Sequence, residues 1–312
     1  MKKAALGSSL LLFLAAFIWG VAFVAQSVGM DYMGPCSFNG ARFLMGSLVL
    51  MPLIIFRRRK KNGDDEKGQK KDTDKKNAVL GGICCGLVLC FASLLQQIGI
   101  QYTTVGKAGF ITTLYIIIVP IMGIFLKKRV SGRVWIGALL AAFGMYLLCM
   151  SEKLALSKGD AYVFACAILF SIHILVIDYF SPKTDGVELS CIQFLTAGII
   201  CSGIAFAVEK PVLQSFIDGI IPLAYAGIMS CGVAYTLQVV GQKDTDPTVA
   251  SLILSMESVI SMLAGWMILD QALNKRELLG CALVFGAVIL VQLPDKKKKG
   301  EEISSVEDEK YV

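Results

Sequence analysis

Long apolar stretches that carry almost no charge recur along this chain and are separated by short polar segments. Of its 312 residues, 55% are hydrophobic and 17% are charged, whereas about a quarter of the residues in a soluble domain are charged. A helix of about 20 apolar residues spans the hydrocarbon core of a bilayer. The pattern therefore predicts an all-α polytopic membrane protein. The basic runs flank apolar spans, which indicates membrane topology and not nucleic-acid binding.

Ten segments are long and apolar enough to be interpreted as transmembrane helices, although the fourth, fifth and tenth are short. The predicted spans are 7–30, 35–56, 78–102, 108–126, 134–150, 160–179, 188–208, 218–241, 248–269 and 277–293. The first run is longer than the apolar region of a signal peptide and no cleavage motif follows it, so it is interpreted as an uncleaved helix.

Basic residues are distributed unevenly between the two sides of the predicted membrane region. Outside the spans, 23 Lys and Arg lie on the side of the N-terminus and 6 lie on the other side. Cytoplasmic loops carry such an excess, so both termini are expected in the cytoplasm. The polar segment 57–77 is expected to be a disordered cytoplasmic loop and 295–312 a disordered cytoplasmic tail, because neither has enough apolar residues to form a core.

The chain contains a weak internal repeat, which divides it into a first half at 1–150 and a second half at 158–294. At an offset of 142 residues, five identities pair Ala92, Leu95, Gln96, Gly99 and Thr103 with Ala234, Leu237, Gln238, Gly241 and Thr245. Five spans per half is an odd number, so the two halves are expected to be inverted in the membrane. Inverted repeats are typical of secondary transporters, whose substrate site lies near the midplane between the repeats.

Several short motifs occur in order along both halves. They are Trp19-Gly20, Asn39-Gly40-Ala41-Arg42-Phe43, Leu95-Gln96-Gln97-Ile98-Gly99, Ala108 to Tyr115, Val119-Pro120, Gly137 with Gly144, and Gly280 with Gly286. In these motifs the chain resembles the EamA-type bacterial permeases of the drug/metabolite transporter superfamily over roughly residues 5 to 293. The resemblance implies a ten-helix fold with a central cavity, a bacterial plasma membrane location, and export or uptake of small metabolites. It implies no single substrate, because members of the family handle amino acids, sugars and other solutes.

Glu257 is the strongest candidate for a functional residue. It lies about nine residues into the ninth span, or roughly 13 Å deep at the rise of an α-helix. A carboxylate at that depth usually faces the bundle interior or a wet cavity. Two functional hypotheses follow: Glu257 binds the cationic group of a solute, or it exchanges a proton. A neutral carboxyl group held by neighbouring hydroxyl or backbone groups is the structural alternative.

Other polar side chains at membrane depth are candidates for lining the cavity. Gln96 and Gln238 occupy equivalent positions of the repeat and would contact solute or bridge helices. Tyr115 and Trp19 lie mid-span and would stack on solute or pack in the core. Pro120, five residues after Tyr115, is expected to kink its helix.

Ser255 and Ser258 would face either the cavity or a neighbouring helix, because they share a helix face with Ser251. Arg42 and Asn39, one turn apart, are interpreted as structural polar residues that tie helix ends together, with anion binding by Arg42 as the less favoured alternative. His173 is the single histidine, and its hypotheses are a second proton-coupling group and a satisfied interior residue.

The sequence predicts no enzyme, cofactor or metal site. None of the ten cysteines has C-x-x-C spacing, and a phosphate-binding loop is absent, so no ATPase subunit is implied. The expected partners are a small-molecule solute, the lipid bilayer and, as a coupling ion, the proton. Secondary transport by alternating access is favoured, and an uncoupled facilitator and a non-transporting membrane scaffold stay open. Gly82-x-x-x-Gly86 predicts a close helix contact.

Overall fold

The structure is a computed structural model that describes residues 2–61, 68–127, 130–149, 157–270 and 275–292. Within these residues all regular secondary structure is helical. The helices are α1 Lys2–Gly29, α2 Pro35–Lys61, α3 Gly68–Ile100, α4 Val105–Thr112, α5 Tyr115–Phe125, α6 Gly132–Cys149, α7 Lys158–Phe180, α8 Gly186–Val208, α9 Leu213–Asp218, α10 Ile220–Ala224, α11 Thr236–Gln242, α12 Pro247–Leu254, α13 Met256–Leu269 and α14 Lys275–Gln292. A 3₁₀ turn at Ser181–Lys183 follows α7, and a π-helix at Tyr225–Tyr235 joins α10 to α11.

Eight helical segments of the described chain are long and apolar enough to cross a membrane. Two further apolar helices, Gly132–Gly144 and Leu278–Val291, are shorter. These ten segments fall where the ten predicted spans lie, and the fifth and tenth are the short ones. The chain is therefore an all-helical, multi-pass membrane protein.

The predicted disordered loop at 57–77 is wrong at both of its ends. Helix α2 continues to Lys61 and α3 begins at Gly68, so the backbone of both flanks is helical. A basic run favours helix as readily as loop, since Lys and Arg are good helix formers. Residues 62–67 lie outside the described part of the chain, as do the predicted tail at 295–312 and the basic residues Lys128 and Arg129.

Equivalent helices of the two halves pack on each other. Helix α2 packs along α8, and α6 packs along α14, while α3 packs against both α7 and α8 and α1 packs against α13. The predicted close contact at Gly82 and Gly86 is confirmed. A Cβ atom on Gly82 would lie 2.5 Å from Ile192 Cβ, and one on Gly86 would lie 2.6 Å from the Gln193 carbonyl oxygen. Small residues let these two helix backbones approach each other.

The fourth and ninth apolar segments are each broken at the same repeat position. Helix α4 ends at Thr112 and α12 ends at Leu254, again 142 residues apart. At the two breaks, Thr113 Oγ1 donates to the Phe110 carbonyl at 2.8 Å and Ser255 Oγ donates to the Leu252 carbonyl at 2.7 Å. Side-chain hydroxyls that bond carbonyls of the preceding turn compete with the helix and bend it.

The predicted kink at Pro120 does not explain these breaks. Pro120 lies inside α5, several residues beyond the break at Thr113, and the second break at Ser255 occurs without a proline. The hydroxyl–carbonyl bond is the feature that both breaks share. Both interruptions lie deep in the bundle, where freed backbone groups can face a cavity.

Two polar clusters join the first half of the chain to the second. Glu209, just after α8, accepts hydrogen bonds from the backbone N–H groups of Cys36 and Ser37 at 2.7 and 2.8 Å. Its carboxylate thus caps the first turn of α2, where a helix dipole favours negative charge. In the other cluster, Lys107 Nζ of α4 lies 2.6 Å from Asp160 Oδ2 of α7.

Candidate functional site

A small cavity, with about 30 Å³ of free space in this conformation, lies between the broken helices and their neighbours. Helices from both halves of the chain supply its walls. The lining residues are Trp19, Phe23, Gln26, Arg42, Gln96, Thr112, Tyr115, Phe170, His173, Ile174, Ser230, Tyr235, Gln238, Leu254 and Glu257. Its mixture of aromatic, amide and charged side chains suits a small polar solute.

Glu257 lines this cavity at the start of α13, one turn beyond the helix break. Its side chain is buried, and Tyr115 Oη donates a hydrogen bond to Glu257 Oε1 at 3.0 Å. Backbone bonds on either side of the two breaks match at the same offset of 142, since Ile116 bonds Thr113 as Ser258 bonds Ser255. Tyr115 and Glu257 are therefore equivalent positions of the two halves, and they meet each other in the cavity wall.

Gln96 and Gln238 both line the cavity, but their hydrogen bonding differs. Gln96 Nε2 donates to Thr112 Oγ1 at 3.1 Å. The residue equivalent to Thr112 in the second half is Leu254, which has no hydroxyl group. Gln238 Oε1, which is not the atom that Gln96 uses for its bond, is buried without a hydrogen-bond partner among the described residues. A buried amide without a partner is costly in a protein interior, so Gln238 is the amide of the pair that is free to bind a solute.

Trp19 lies in the cavity wall and is held by two contacts. Its indole Nε1 donates to the Ser230 carbonyl at 3.3 Å, and its ring packs edge-on to Tyr235 with centroids 4.5 Å apart. Both partners belong to the π-helix Tyr225–Tyr235. π-Helical turns are rare and often occur at functional sites, and here the widened turns present carbonyl and ring groups to the cavity.

Arg42 lies on the cavity and is not a residue of the helix end. It is 2% exposed, and Nη1 donates to Gln26 Oε1 at 2.9 Å. Asn39 does not partner it, because Asn39 Nδ2 donates to the Ser93 carbonyl at 3.1 Å. The structural interpretation therefore fits Asn39, which joins α2 to α3, whereas the guanidinium group of Arg42 reaches the cavity.

His173 also lines the cavity and is fully buried. Its Nε2 donates to Gln193 Oε1 at 3.0 Å, while Nδ1 has no partner in the described residues. The imidazole therefore has one satisfied nitrogen and one free nitrogen. His173 thus bonds a neighbouring helix through one nitrogen and lies in the cavity wall, and both of its hypotheses stay predictions.

Ser255 and Ser258 are not among the residues that line the cavity. Both are buried, and Ser258 Oγ donates to the Ser255 carbonyl at 2.7 Å. The neighbouring Ser261 bonds the Ser258 carbonyl in the same way at 2.9 Å. These hydroxyls thus satisfy carbonyls of their own helix. The stripe of serines shapes and packs the ninth segment, and the expectation of cavity lining is wrong for Ser255 and Ser258.

Sequence reasoning missed four polar residues of the site: Gln26, Thr112, Ser230 and Tyr235. Thr112 carried a usable signal, because it is the repeat mate of Leu254 and lies in the same segment as Tyr115. The other three lie in apolar runs, where no sequence pattern distinguishes them from residues that pack in the core. In the described residues, no group of three or more His, Cys, Asp or Glu side chains could hold a metal ion.

The fold and the cavity together define a class of protein: a multi-pass helical membrane protein whose two halves enclose one buried polar site. The chain belongs to the EamA-like transporter family, which matches it twice, over residues 6–150 and 157–293. It is 30% identical to an uncharacterized transporter of Archaeoglobus fulgidus, covering 90% of this chain and 84% of that protein. It is 20% identical to the uncharacterized transporter YoaV of Bacillus subtilis, covering 90% and 95%.

A crystal structure with the same fold also resembles this chain. Its TM-score is 0.72 at 18% sequence identity, over 91% of this chain and 96% of that one. The resemblance to EamA-type permeases found in the sequence is thus confirmed. The chain has the general role of a membrane transporter and is not an enzyme.

Proposed function

We propose that the protein is a secondary transporter that exports small amine-bearing solutes, such as amino acids or amines, across a bacterial plasma membrane. Ten spans form two inverted five-helix repeats, and both termini lie in the cytoplasm. Access to the central cavity alternates between the two sides. The excess of Lys and Arg on one side of the predicted spans supports this orientation.

Packing between equivalent helices supports the inverted arrangement. Contacts of α1 have counterparts made by α7: α1 packs on the π-helix with α11, on α12 and on α13, and α7 packs on α3, α4 and α5. Helices α2 and α6 each pack on their own repeat equivalents, α8 and α14. A two-fold axis in the membrane plane would produce this packing. Two repeats related in this way can exchange conformations, which is the basis of alternating access.

The position of Glu257 is the main observation that supports the functional proposal. Its carboxyl group is buried in the cavity wall, just after the break between α12 and α13. Carboxyl groups inside a membrane protein mark solute or proton pathways. Glu257 binds the amine of the solute or a proton in turn, because a single carboxylate cannot pair fully with both. Competition between the two would couple export to proton entry, with His173 as a second candidate for proton transfer.

The test is solute flux in proteoliposomes with and without an imposed pH gradient. The panel contains amino acids, polyamines, nucleosides, sugars and one lipophilic cation. We expect amine-bearing solutes to move above the level of empty liposomes, and we expect the gradient to stimulate that flux. Glu257→Gln keeps the size of the side chain and removes its charge, so it should abolish the stimulation.

Ser261→Ala is the matched control, since Ser261 lies one turn from Glu257 and bonds only its own helix backbone. It should retain both flux and stimulation. If solute flux through the wild type does not change with the pH gradient, the protein is instead an uncoupled facilitator. A correctly inserted protein that moves no member of the panel would contradict the proposal and favour the scaffold. Unchanged affinity and pH response in Glu257→Gln would show that Glu257 is not the site.

A further inference from the structure

Arg42 is a fully buried cation beside the cavity. It is 2% exposed and is among the largest fully buried side chains of the described chain. Its guanidinium carbon lies 4.9 Å from the centre of the Phe43 ring and 5.8 Å from that of Phe38. These rings restrain the guanidinium plane, and Gln26 takes one of its donors. The side chain is thus held in place and is not free to reach an aqueous surface.

The charge of Arg42 is not balanced by a protein carboxylate. Its hydrogen bond goes to the neutral amide of Gln26, its Nε is buried without a partner, and neither ion pair of the described residues includes it. The carboxyl group that shares its cavity, Glu257, bonds Tyr115 instead. Buried charges without a partner are strongly disfavoured. The missing partner of Arg42 is therefore expected from the cavity side.

The internal repeat shows that packing does not need the positive charge. Between the second and seventh spans the repeat has an offset of 151, because Phe43-Leu44 matches Phe194-Leu195 there. At this offset Arg42 is equivalent to Gln193. The two phenylalanine rings stack with centroids 6.2 Å apart and planes 6° apart. Gln193 bonds His173 of the preceding helix as Arg42 bonds Gln26. A neutral amide thus fills the same place in the second half, so the guanidinium group has a role other than packing.

We infer that Arg42 binds the carboxylate of the transported solute while Glu257 binds its ammonium group, so that the cavity selects zwitterions over simple amines. This inference rests on the proposed transport function. One buried cation and one buried anion in a single cavity match a solute that carries one charge of each sign. A guanidinium group can offer two parallel N–H donors to a carboxylate, and Arg42 has donors left after its bond to Gln26.

The inference is tested by counterflow in proteoliposomes with three matched solutes: an amino acid, its amide, and the amine left by removing its carboxyl group. All three retain the ammonium group, and only the first has the carboxylate. The wild type should prefer the amino acid by about 10- to 100-fold, the usual worth of hydrogen bonds to a charged group. Arg42→Gln should remove most of that preference and retain transport of the amine.

Arg57→Gln is the matched control, because it makes the same change in the same helix at a side chain that is 54% exposed and away from the cavity. It should retain the preference. If Arg42→Gln does not insert into the membrane, the preference of the wild type for the amino acid still tests the inference. Equal transport of all three solutes by the wild type would overturn the inference and leave the transport function intact. Absence of flux for every solute would instead contradict the transport function itself.

Discussion

At the scale of single residues, the cavity differs most clearly from its internal symmetry at the two glutamines. Gln96 Nε2 donates to the Thr112 hydroxyl group, whereas the position equivalent to Thr112 in the second half holds Leu254, which cannot accept such a bond. Gln238 Oε1 is also buried without a partner among the described residues. The two halves thus differ in how their equivalent amides are bonded, and Gln238 has an acceptor available to a solute.

We expect Gln238→Met and Gln96→Met to have opposite effects. Gln238→Met should raise the KM for the solute by about tenfold, while thermal stability stays equal or rises because an unsatisfied buried amide is removed. Gln96→Met should lower stability by about 1–3 kcal/mol, since it removes the buried hydrogen bond that Gln96 Nε2 donates to Thr112 Oγ1. Flux kinetics and thermal unfolding of the two variants measure both effects. Similar changes in both variants would contradict the assignment.

At the scale of helices, glycines fix how closely α3 and α8 pack. The Gln193 carbonyl is backbone and cannot easily move away from a Cβ atom placed 2.6 Å from it. Gly86→Ala should therefore lower the unfolding temperature. Gly203→Ala is the matched control, because a Cβ atom on Gly203 of α8 meets nothing within 4 Å. That variant should be neutral or slightly stabilising, as alanine favours a helix by about 0.5–1 kcal/mol over glycine. Equal loss in both variants would show that the contact is looser than described.

The helical segments were predictable from sequence, whereas their interruptions were not. Charge-free runs of about 20 residues identify spans directly. The breaks after Thr112 and Leu254 depend on a hydroxyl group bonding the preceding turn, and Ser and Thr occur in many helices without such a break. Pro120, the obvious signal for a kink, lies elsewhere. Ser255 was consequently expected in the cavity, although its hydroxyl group is used by the helix break.

The candidate site, like the helical segments, was partly predictable from sequence. Glu257, Gln96, Gln238, Tyr115 and Trp19 were found because a polar or amphipathic side chain at membrane depth requires a partner. Arg42 was assigned to a helix end because a long side chain can extend toward the interface. The rings of Phe38 and Phe43 hold it inward instead, and no one-dimensional pattern reveals which direction a long side chain takes.

At the scale of the whole molecule, Glu209 and the Lys107–Asp160 pair join the two halves. In the proposed topology both clusters lie on the non-cytoplasmic side. At the cytoplasmic side the ion pair of Arg57 with Asp185 is 3.7 Å long and substantially exposed, so it is expected to contribute little. In that topology, Glu209 and the Lys107–Asp160 pair are partly buried polar links between the halves at the outer end.

Glu209→Gln should weaken this outer link, because the carboxylate that accepts from Cys36 and Ser37 loses its charge. We expect faster labelling of Cys36, which is 9% exposed, by a maleimide added from the outside. A Cys36→Ser background measures labelling of the other thiols. Gln214→Glu, an exposed change on the neighbouring helix α9, keeps Glu209 and should leave the rate unchanged. An equal rate in Glu209→Gln and wild type would show that the carboxylate does not hold this end.

The hydrogen bond between Tyr115 and Glu257 has a consequence for how such a chain could arise. The two residues occupy the same position in the two halves, so a half-length protein pairing with its own copy would have to set identical residues against each other. Two carboxyl groups would repel or share one proton, and two tyrosines would supply no carboxylate. Because the two halves differ in sequence, one position holds the acid Glu257, and the equivalent position holds Tyr115, the hydrogen-bond donor that orients it. The difference requires two distinct half-sequences, and this chain supplies both in one polypeptide.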